Sequence, residues 1–433
     1  MSKTHLIRSR MSTASFSTEI RPRSIFPYFL VVLLIIAYKS NDALINPQFW
    51  AEDATVFFKE QLGHAWPMLF KPYAGYMHVV PRSVAWIASW FSPARIPMIY
   101  NTAAVVIDAA AICFVLGRLR GHVPLALGLL SFLLVPTNGE IIGSITNGQW
   151  LLQFALAAIC FCPEVQTSTA KRWIRAAIAL AIALTGPFSL FIITVVAAVI
   201  SAAWVCNRFG YRVLDGAFQG YWSSRDRLSL LGTAVGAAVQ LVLIAGKIPV
   251  EAGVHPGTIE LMRIAFTELV PIHIFNNSFL PWKAWLLVWG WIIGALLFGN
   301  KLHGQSRLLV LSFMATFAIE TFLAIRVRPL DLLAQFWPGD RYFYLAKVVF
   351  WWSLWMAAAN TLSHRYDDAR LAVVVLLGLV ALGNAPLMRR MPFDDLHWQA
   401  NAATLTTPGD HVIPINPAPW HITVATSQDG KLQ

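Results

Sequence analysis

Long apolar segments separated by short polar loops recur along the chain from Ile25 to Leu387. Most are about 15 to 20 residues long, close to the length of helix that crosses a hydrocarbon core of ~30 Å. The pattern predicts eleven membrane-spanning helices, at 25–38, 97–116, 122–136, 147–162, 173–187, 188–204, 228–246, 284–299, 307–325, 343–361 and 370–387. Because only helices and closed barrels satisfy their backbone groups in lipid, we predict an all-α polytopic membrane protein.

One apolar segment, from Ile174 to Trp204, is too long for a single crossing. It contains Thr185-Gly186-Pro187, and a proline inside a helix removes a hydrogen bond and clashes with the preceding turn. We therefore predict a break there, with a short crossing on each side.

Basic residues are concentrated in short loops between the apolar segments. They are Arg118, Arg120, Lys171, Arg172, Arg175, Arg208, Arg212, Arg225, Arg227, Lys301, Arg307, Arg365 and Arg370. The positive-inside rule places such loops in the cytoplasm. We therefore expect a cytoplasmic N-terminal segment at 1–24, a transmembrane domain at 25–388 and a short extracytoplasmic tail at 389–433. No small-residue cleavage site follows the first apolar segment, so we interpret it as a retained helix.

The first outer loop, 39–96, contains two stretches that we interpret as membrane-surface helices. In the first, 54–66, one face is apolar and is expected to face lipid; it comprises Val56, Phe57, Leu62 and Trp66. The second, 78–91, is apolar but carries Pro81 and Arg82 near its start. A crossing there would invert every later loop, so we predict an interfacial or re-entrant helix.

The composition supports the membrane class and excludes others. The chain is 57% hydrophobic and 13% charged, with a mean hydropathy of +0.58. Its formal net charge of +11 lies largely in the loops, and therefore indicates topology rather than nucleic-acid binding. The four cysteines, Cys113, Cys160, Cys162 and Cys206, lack the spacing of a zinc or redox site. No P-loop, HExxH or GxSxG motif is present.

Two adjacent acids, Glu52 and Asp53, follow the first apolar segment. Charged groups beside a membrane span are costly, and a general base or ion ligand is their usual role. On a helix, neighbouring side chains point about 100° apart, so one acid can face a substrate while the other supports it. Helix capping is the structural alternative, and both acids are candidates for the catalytic base.

Planar rings and amides near the predicted outer face are candidate groups for binding a sugar or an acceptor. They are Tyr73, Tyr76, His78, Asn147, Gln149, Trp150 and Tyr342. An interfacial aromatic belt and helix capping are the structural alternatives. Because His78 has no second histidine at ligand spacing, we predict no metal site around it.

Basic residues also occur at the predicted outer face, against the positive-inside bias. They are Arg82, Arg328, Arg341 and Lys347. Guanidinium groups bind phosphate oxygens bidentately and stabilise a phosphate leaving group, so we assign these residues to the phosphate of a lipid-linked donor. Interaction with ordinary lipid headgroups is the alternative.

Three sequence motifs resemble those of a group of bacterial membrane proteins within the GT-C superfamily of integral-membrane glycosyltransferases. They are Trp50-Ala51-Glu52-Asp53, the Tyr-Ala-Gly-Tyr-Met-His-Val-Val-Pro-Arg segment at 73–82, and Arg341-Tyr342-Phe343-Tyr344. The resemblance also covers the layout: a first helix, an acidic outer loop with surface helices, then many spans. It implies inverting transfer of a sugar from a polyprenyl-phosphate donor to a hydroxyl acceptor, with Asp53 or Glu52 as the base. It further implies a place in the bacterial inner (cytoplasmic) membrane.

The chain differs from better known members of this superfamily, which carry a large soluble C-terminal domain. A lipid or glycan acceptor is therefore expected rather than a protein. Because the first outer loop has no Asp-x-Asp pair, we expect no cofactor and do not favour a divalent metal. The expected partners are the donor, the acceptor and membrane lipids, with no nucleic acid.

Two other functions remain open from the sequence. A transporter or flippase for a lipid-linked or anionic solute would use the same acids and arginines to line a pathway. A membrane acyltransferase would need a catalytic histidine or serine at the outer face, where His78 is the candidate.

Overall fold

A computed structural model describes residues 26–137, 140–165, 167–245, 256–277, 279–362 and 366–432. It is 71% helical and 5% strand. The α-helices are α1 Phe26–Lys39, α2 Asn41–Ile45, α3 Val79–Ala88, α4 Ile96–Leu119, α5 Leu125–Leu133, α6 Gln149–Phe161, α7 Thr169–Ala183, α8 Phe188–Phe209, α9 Arg227–Ile244, α10 Thr258–Ile264, α11 Val270–Phe275, α12 Trp282–Phe298, α13 Gly304–Val327, α14 Leu330–Ala334, α15 Phe336–Gly339, α16 Tyr344–Thr361, α17 Tyr366–Gly383 and α18 Trp398–Thr404.

Each of the eleven predicted spans overlaps one of these helices. Length and composition make four of the described helices able to cross a membrane: 93–119, 188–209, 227–244 and 304–327. Helices such as Phe26–Lys39, Gln149–Phe161 and Trp282–Phe298 are apolar but shorter. These helices indicate a helical membrane protein.

The helices pack around α6 and α16. Every residue of α6 is buried, and so is nearly all of α16. A helix that is apolar on most sides suits either lipid or the protein interior, and the burial of α6 and α16 places both in the interior of the bundle. At the α7–α9 contact, a Cβ on Gly236 would lie 2.5 Å from the Cβ of Ala183, so glycine allows the two backbones to approach closely.

The predicted break in the long apolar segment is confirmed. Helix α7 ends at Ala183 and α8 begins at Phe188. Gly186 has a φ of +90°, and a Cβ there would lie 2.3 Å from Oε1 of Gln149. The left-handed backbone conformation therefore favours glycine at this position.

The first outer loop differs from the prediction in its packing. Residues 51–60 are helical, with a π-helical turn at Asp53–Phe58, but Val56 and Phe57 are buried inside the protein and do not face lipid. Short 3₁₀ turns at Leu62–His64 and Trp66–Phe70 replace the rest of that predicted helix. Helix α3 confirms a helix near 78–91; its ten residues span about 15 Å, which is too short to cross a membrane.

The all-α prediction is wrong for the C-terminal tail, which contains an antiparallel hairpin. Strand β1, Gly409–Pro414, pairs with β2, His421–Thr426. Its apolar side joins α18 and the first outer loop in one hydrophobic cluster, which includes Phe49, Phe57, Phe58, Trp398, Ile413, Ile422 and Val424. The backbone N–H of Ala51 donates to the carbonyl of Asn416 at 2.5 Å. The tail is therefore an ordered cap on the loop that carries the acidic pair.

Candidate functional site

The two adjacent acids face different environments. Asp53 is 1% exposed, whereas Glu52 is only partly buried. Both lie at the start of the helix at 51–60, where Ala51 has a φ of +29°. The predicted divergence of two neighbouring helical side chains therefore places one acid inside the protein and leaves the other accessible.

Asp53 binds the loop that leads into α6. Its Oδ1 accepts hydrogen bonds from the backbone N–H of Thr146 at 3.0 Å, from the Thr146 hydroxyl at 2.5 Å and from the Ser144 hydroxyl at 3.4 Å. Its Oδ2 has no partner among the described residues. Burial raises the pKa of Asp53 to about 6, although the hydrogen bonds from Thr146 and Ser144 oppose the shift. Asp53 therefore connects the first outer loop to the 140–148 loop.

This pKa predicts a pH-dependent contribution to stability. The pKa of Asp53 is raised from 3.8 to about 6 in the folded protein, so between these values the folded state keeps a proton that the unfolded state releases. The contribution is present in full below about pH 4 and is lost as the pH rises through about 6; a shift of roughly two units corresponds to about 3 kcal/mol. We expect the free energy of unfolding of Asp53→Asn in detergent micelles to rise by about this amount relative to wild type between pH 4 and 7.5. Parallel pH profiles would contradict the prediction.

Glu52 lies close enough to Tyr73, Glu140 and Arg341 to act on each of them electrostatically. Nη1 of Arg341 lies 3.5 Å from Oε2 of Glu140. Burial tends to lower the pKa of Arg341, but Glu140, Tyr342 and Glu52 outweigh it and raise that pKa. Burial raises the pKa of Glu140, and Arg341 opposes that shift. The arrangement therefore combines one accessible carboxylate with a guanidinium that stays charged.

Aromatic rings from three chain segments lie near these charges. The rings of Tyr76 and His78 are stacked with centroids 4.6 Å apart, and Tyr73 lies 5.6 Å from His78. Trp150 packs edge-on against Tyr342 with centroids 5.5 Å apart. Electrostatic interactions with Tyr342 and Arg341 place Tyr76 next to them.

Burial and neighbouring groups determine the protonation of Tyr76 and His78. Burial raises the pKa of Tyr76 to about 12, with an opposing side-chain hydrogen bond from Gln149. Burial and the neighbouring Arg82 lower the pKa of His78 to about 3, so His78 is neutral near pH 7. His78 is therefore a neutral ring in this site and not a cation.

The structure separates the four basic residues that the sequence grouped together. Arg341 and Arg328 both act on Tyr73 and lie near the aromatic rings. Arg82 is 1% exposed and pairs with Glu60, with Nη2 at 2.7 Å from Oε2. Its backbone N–H donates to the carbonyl of His78 at 3.0 Å, one helical turn earlier in the chain.

The position of Lys347 disagrees with the prediction that it binds the donor phosphate. Its side chain is 0% exposed, pairs with Asp340 and donates to the carbonyl of Pro136 at 2.5 Å. Asp340 also accepts from Nδ1 of His273 at 3.0 Å, whose Nε2 lies 2.8 Å from the carbonyl of Leu333. Lys347 therefore belongs to a buried ion-pair network around Asp340, the residue that precedes Arg341 in the chain.

Asn147 also has a structural contact. It is 1% exposed, and its Nδ2 donates to the carbonyl of Glu140 at 2.8 Å. Glu140 was not assigned a role from sequence, although its position in a short polar loop before α6 was a usable signal.

Among the described residues, no group of three or more His, Cys, Asp or Glu side chains is placed to hold a metal ion.

Comparisons with protein-family models, curated proteins and solved structures gave no match. The function must therefore be inferred from the residues and their geometry.

Proposed function

We propose that the protein is an inverting glycosyltransferase that moves a sugar from a polyprenyl-phosphate donor to the hydroxyl of a lipid or glycan acceptor. The observation that carries the proposal is the partly buried carboxylate of Glu52, which acts electrostatically on the charged guanidinium of Arg341, near the rings of Tyr73 and Tyr342. The resemblance to GT-C enzymes agrees with this arrangement. The proposal includes eleven crossings in a bacterial inner membrane, with the N-terminus inside and this site at the outer face.

The reaction needs a base, an electrophilic centre and a stabilised leaving group. Glu52 takes the proton of the acceptor hydroxyl, and the oxygen forms a bond to the anomeric carbon. The bond from that carbon to the phosphate oxygen breaks, and the electron pair stays on polyprenyl phosphate. Arg341 stabilises the charge that develops on this phosphate. Attack opposite to the leaving group inverts the anomeric centre.

Asp53 is assigned as a positioning residue and Glu52 as the base. A group that is 1% exposed cannot contact the acceptor, and Asp53 already accepts bonds from Ser144 and Thr146. Its contacts fix the helix that carries Glu52 against the 140–148 loop. Tyr73, Tyr76 and Tyr342 supply ring faces and hydroxyls suited to binding a sugar.

Donor consumption tests the proposed function. The purified full chain in detergent micelles is incubated with a panel of short-chain polyprenyl-phosphate sugars and with a mixture of envelope lipids and glycans as acceptors. Mass spectrometry should detect polyprenyl phosphate and a glycosylated acceptor in equal amounts. Absence of product from every donor in the panel would argue against the proposal.

Arg341→Gln should raise KM for the donor and lower kcat, together reducing kcat/KM by about 10²–10³-fold, the range found when one charge-stabilising donor is removed. Arg326→Gln is the matched control, because Arg326 is exposed at the end of α13. We expect the control to retain kcat/KM within about twofold, as for surface charges that contact solvent. Equal losses in both variants would remove Arg341 from the site.

A transporter or flippase is the second candidate, and one observation favours it. Two acids lie fully buried within helices, Asp108 in α4 and Glu320 in α13. Buried acids inside spans commonly mark ion or proton pathways. The same donors sealed inside proteoliposomes distinguish the candidates: a transporter moves intact donor across the membrane, whereas the enzyme converts it.

A further inference from the structure

The segment 389–397, which leads into α18, carries a buried arginine, Arg390. It is 7% exposed, and its backbone N–H donates to the carbonyl of Lys39 at 3.0 Å, where α1 ends. Burial lowers the pKa of Arg390 to about 10, and the carboxylates of Asp42 and Asp53 oppose that shift, so the guanidinium stays charged at about pH 7. The tail therefore places a cation against the first outer loop.

The guanidinium of Arg390 binds the 140–148 loop. Nη1 donates to the carbonyl of Ile142 at 3.4 Å and to the carbonyl of Gly143 at 3.3 Å. Asp53 accepts hydrogen bonds from the next residues of the same loop. An acid near one end of the chain and an arginine near the other therefore hold this loop together.

Arg390 is also linked to the start of the helix at 51–60. Its guanidinium lies 3.3 Å from the ring centroid of Phe393. The ring of Phe393 is stacked on that of Trp50, with centroids 5.6 Å apart and planes 11° from parallel. Trp50 lies directly before this helix, and Glu52 lies within its first turn. One pair of stacked rings therefore connects Arg390 to the segment that carries the proposed base.

These contacts join the two segments that carry the proposed catalytic groups. Glu52 belongs to the helix at 51–60, whereas Glu140, whose Oε2 lies 3.5 Å from Nη1 of Arg341, belongs to the 140–148 loop. Arg390 contacts the loop directly and the helix through the rings. The separation between the base and the phosphate-stabilising guanidinium therefore depends on this arginine.

Attachment of the tail does not by itself require a charged residue here. The hairpin and α18 already pack on the first outer loop through an apolar cluster that includes Trp398, Ile413 and Val424. A buried charge is a costlier anchor than another apolar contact. A guanidinium, however, binds several oxygens in fixed directions and stacks on a ring, which an aliphatic side chain cannot do. These properties suit a residue that orients two segments relative to each other.

We propose that Arg390 is a positioning residue for sugar transfer, which sets the separation between Glu52 and Arg341 by holding the 140–148 loop against the Phe393–Trp50 ring pair. This inference rests on the proposed glycosyltransferase function. A misplacement of about 1 Å can lower the rate of a reaction about 10²-fold. Because the groups that bind the donor are retained without Arg390, its loss should lower kcat and leave KM for the donor nearly unchanged.

Single-turnover transfer by the purified full chain measures this effect. Arg390→Lys keeps the charge but loses the planar fork, and we expect it to lower kcat per folded molecule by about 10–10²-fold, with KM for the donor within about threefold of wild type. Phe393→Leu breaks the ring pair and should act in the same direction, which keeps the test valid if Arg390→Lys does not fold. Thr426→Val is the matched control: it removes a buried hydrogen bond to the carbonyl of Leu405 at the far end of the hairpin and should retain kcat.

Hydrogen exchange separates this inference from the proposed function. Amides of 51–60 and 140–148 should exchange about tenfold faster in the folded Arg390→Lys and Phe393→Leu variants than in wild type, whereas those of α8 should not change. Faster exchange in both segments of a protein that transfers no sugar would reject the proposed function and retain the link between the segments. Unchanged exchange in both segments, wild-type kcat in folded Arg390→Lys, or an equal loss of kcat in Thr426→Val overturns the role of Arg390.

Discussion

Glu52→Gln is expected to lower kcat for sugar transfer by about 10²–10⁴-fold, the usual contribution of a general base. The amide has nearly the same shape as the carboxylate but cannot take the acceptor proton. Because Glu52 is only partly buried, its replacement by the isosteric amide should leave the melting temperature unchanged. The measurement is single-turnover transfer with the donor identified in the panel, so that product release does not mask the chemical step.

Variants of Glu164 and Asp53 test whether the loss of kcat in Glu52→Gln is specific to the catalytic base. Glu164→Gln removes an acid at the opposite end of the helices, where Glu164 pairs with Arg172 at 2.9 Å, and should retain full activity. Asp53→Ala should lose activity together with stability, because it removes the oxygen that accepts the hydrogen bonds from Ser144 and Thr146. If Glu52→Gln transfers sugar at the wild-type rate while Asp53→Asn is inactive but fully folded, the two roles are reversed.

Lys347→Met is expected to destabilise the protein by about 3–5 kcal/mol, because it leaves a buried carboxylate without its cation. Asp340 and Lys347 are both 0% exposed, and within the described part of the chain Asp340 also pairs with His273. The free energy of unfolding can be measured in mixed micelles against the exposed control Lys431→Met, which should change it by less than about 0.5 kcal/mol.

A double variant separates the lost charge pair from lost packing. Asp340→Asn combined with Lys347→Met removes both charges and keeps an acceptor for His273, so it should recover more than half of the lost stability. Because Arg341 directly follows Asp340, Lys347→Met should also raise KM for the donor. A single variant that loses less than about 1 kcal/mol would mean that the network is not needed for the fold.

The sequence predicted the positions of the helices well, and the reason is local. Apolar length fixes where a lipid-compatible helix can form, so each predicted span overlaps a helix. The break at Thr185-Gly186-Pro187 also follows from local backbone chemistry, since proline and a left-handed glycine cannot continue a helix. The number of crossings and their orientation stay predictions.

The packing of the first outer loop was not predictable from its own pattern. Val56 and Phe57 have the spacing of a membrane-surface helix, and that spacing is the same whether the apolar face meets lipid or protein. The hairpin of the C-terminal tail supplies the protein surface that covers Phe57 and Phe58. That contact joins residues more than 300 positions apart, which periodicity cannot reveal.

By itself, the sequence determined a helical membrane protein, the break in its longest apolar segment, and an acidic pair whose members had to point in different directions. Only the tertiary structure decided that Asp53 is enclosed by the 140–148 loop while Glu52 stays partly exposed and acts electrostatically on Arg341. It also decided that Lys347 pairs with Asp340 instead of lining the site. The physical reason is that burial and charge pairing depend on neighbours from distant segments, whereas helix formation and side-chain direction depend on adjacent residues.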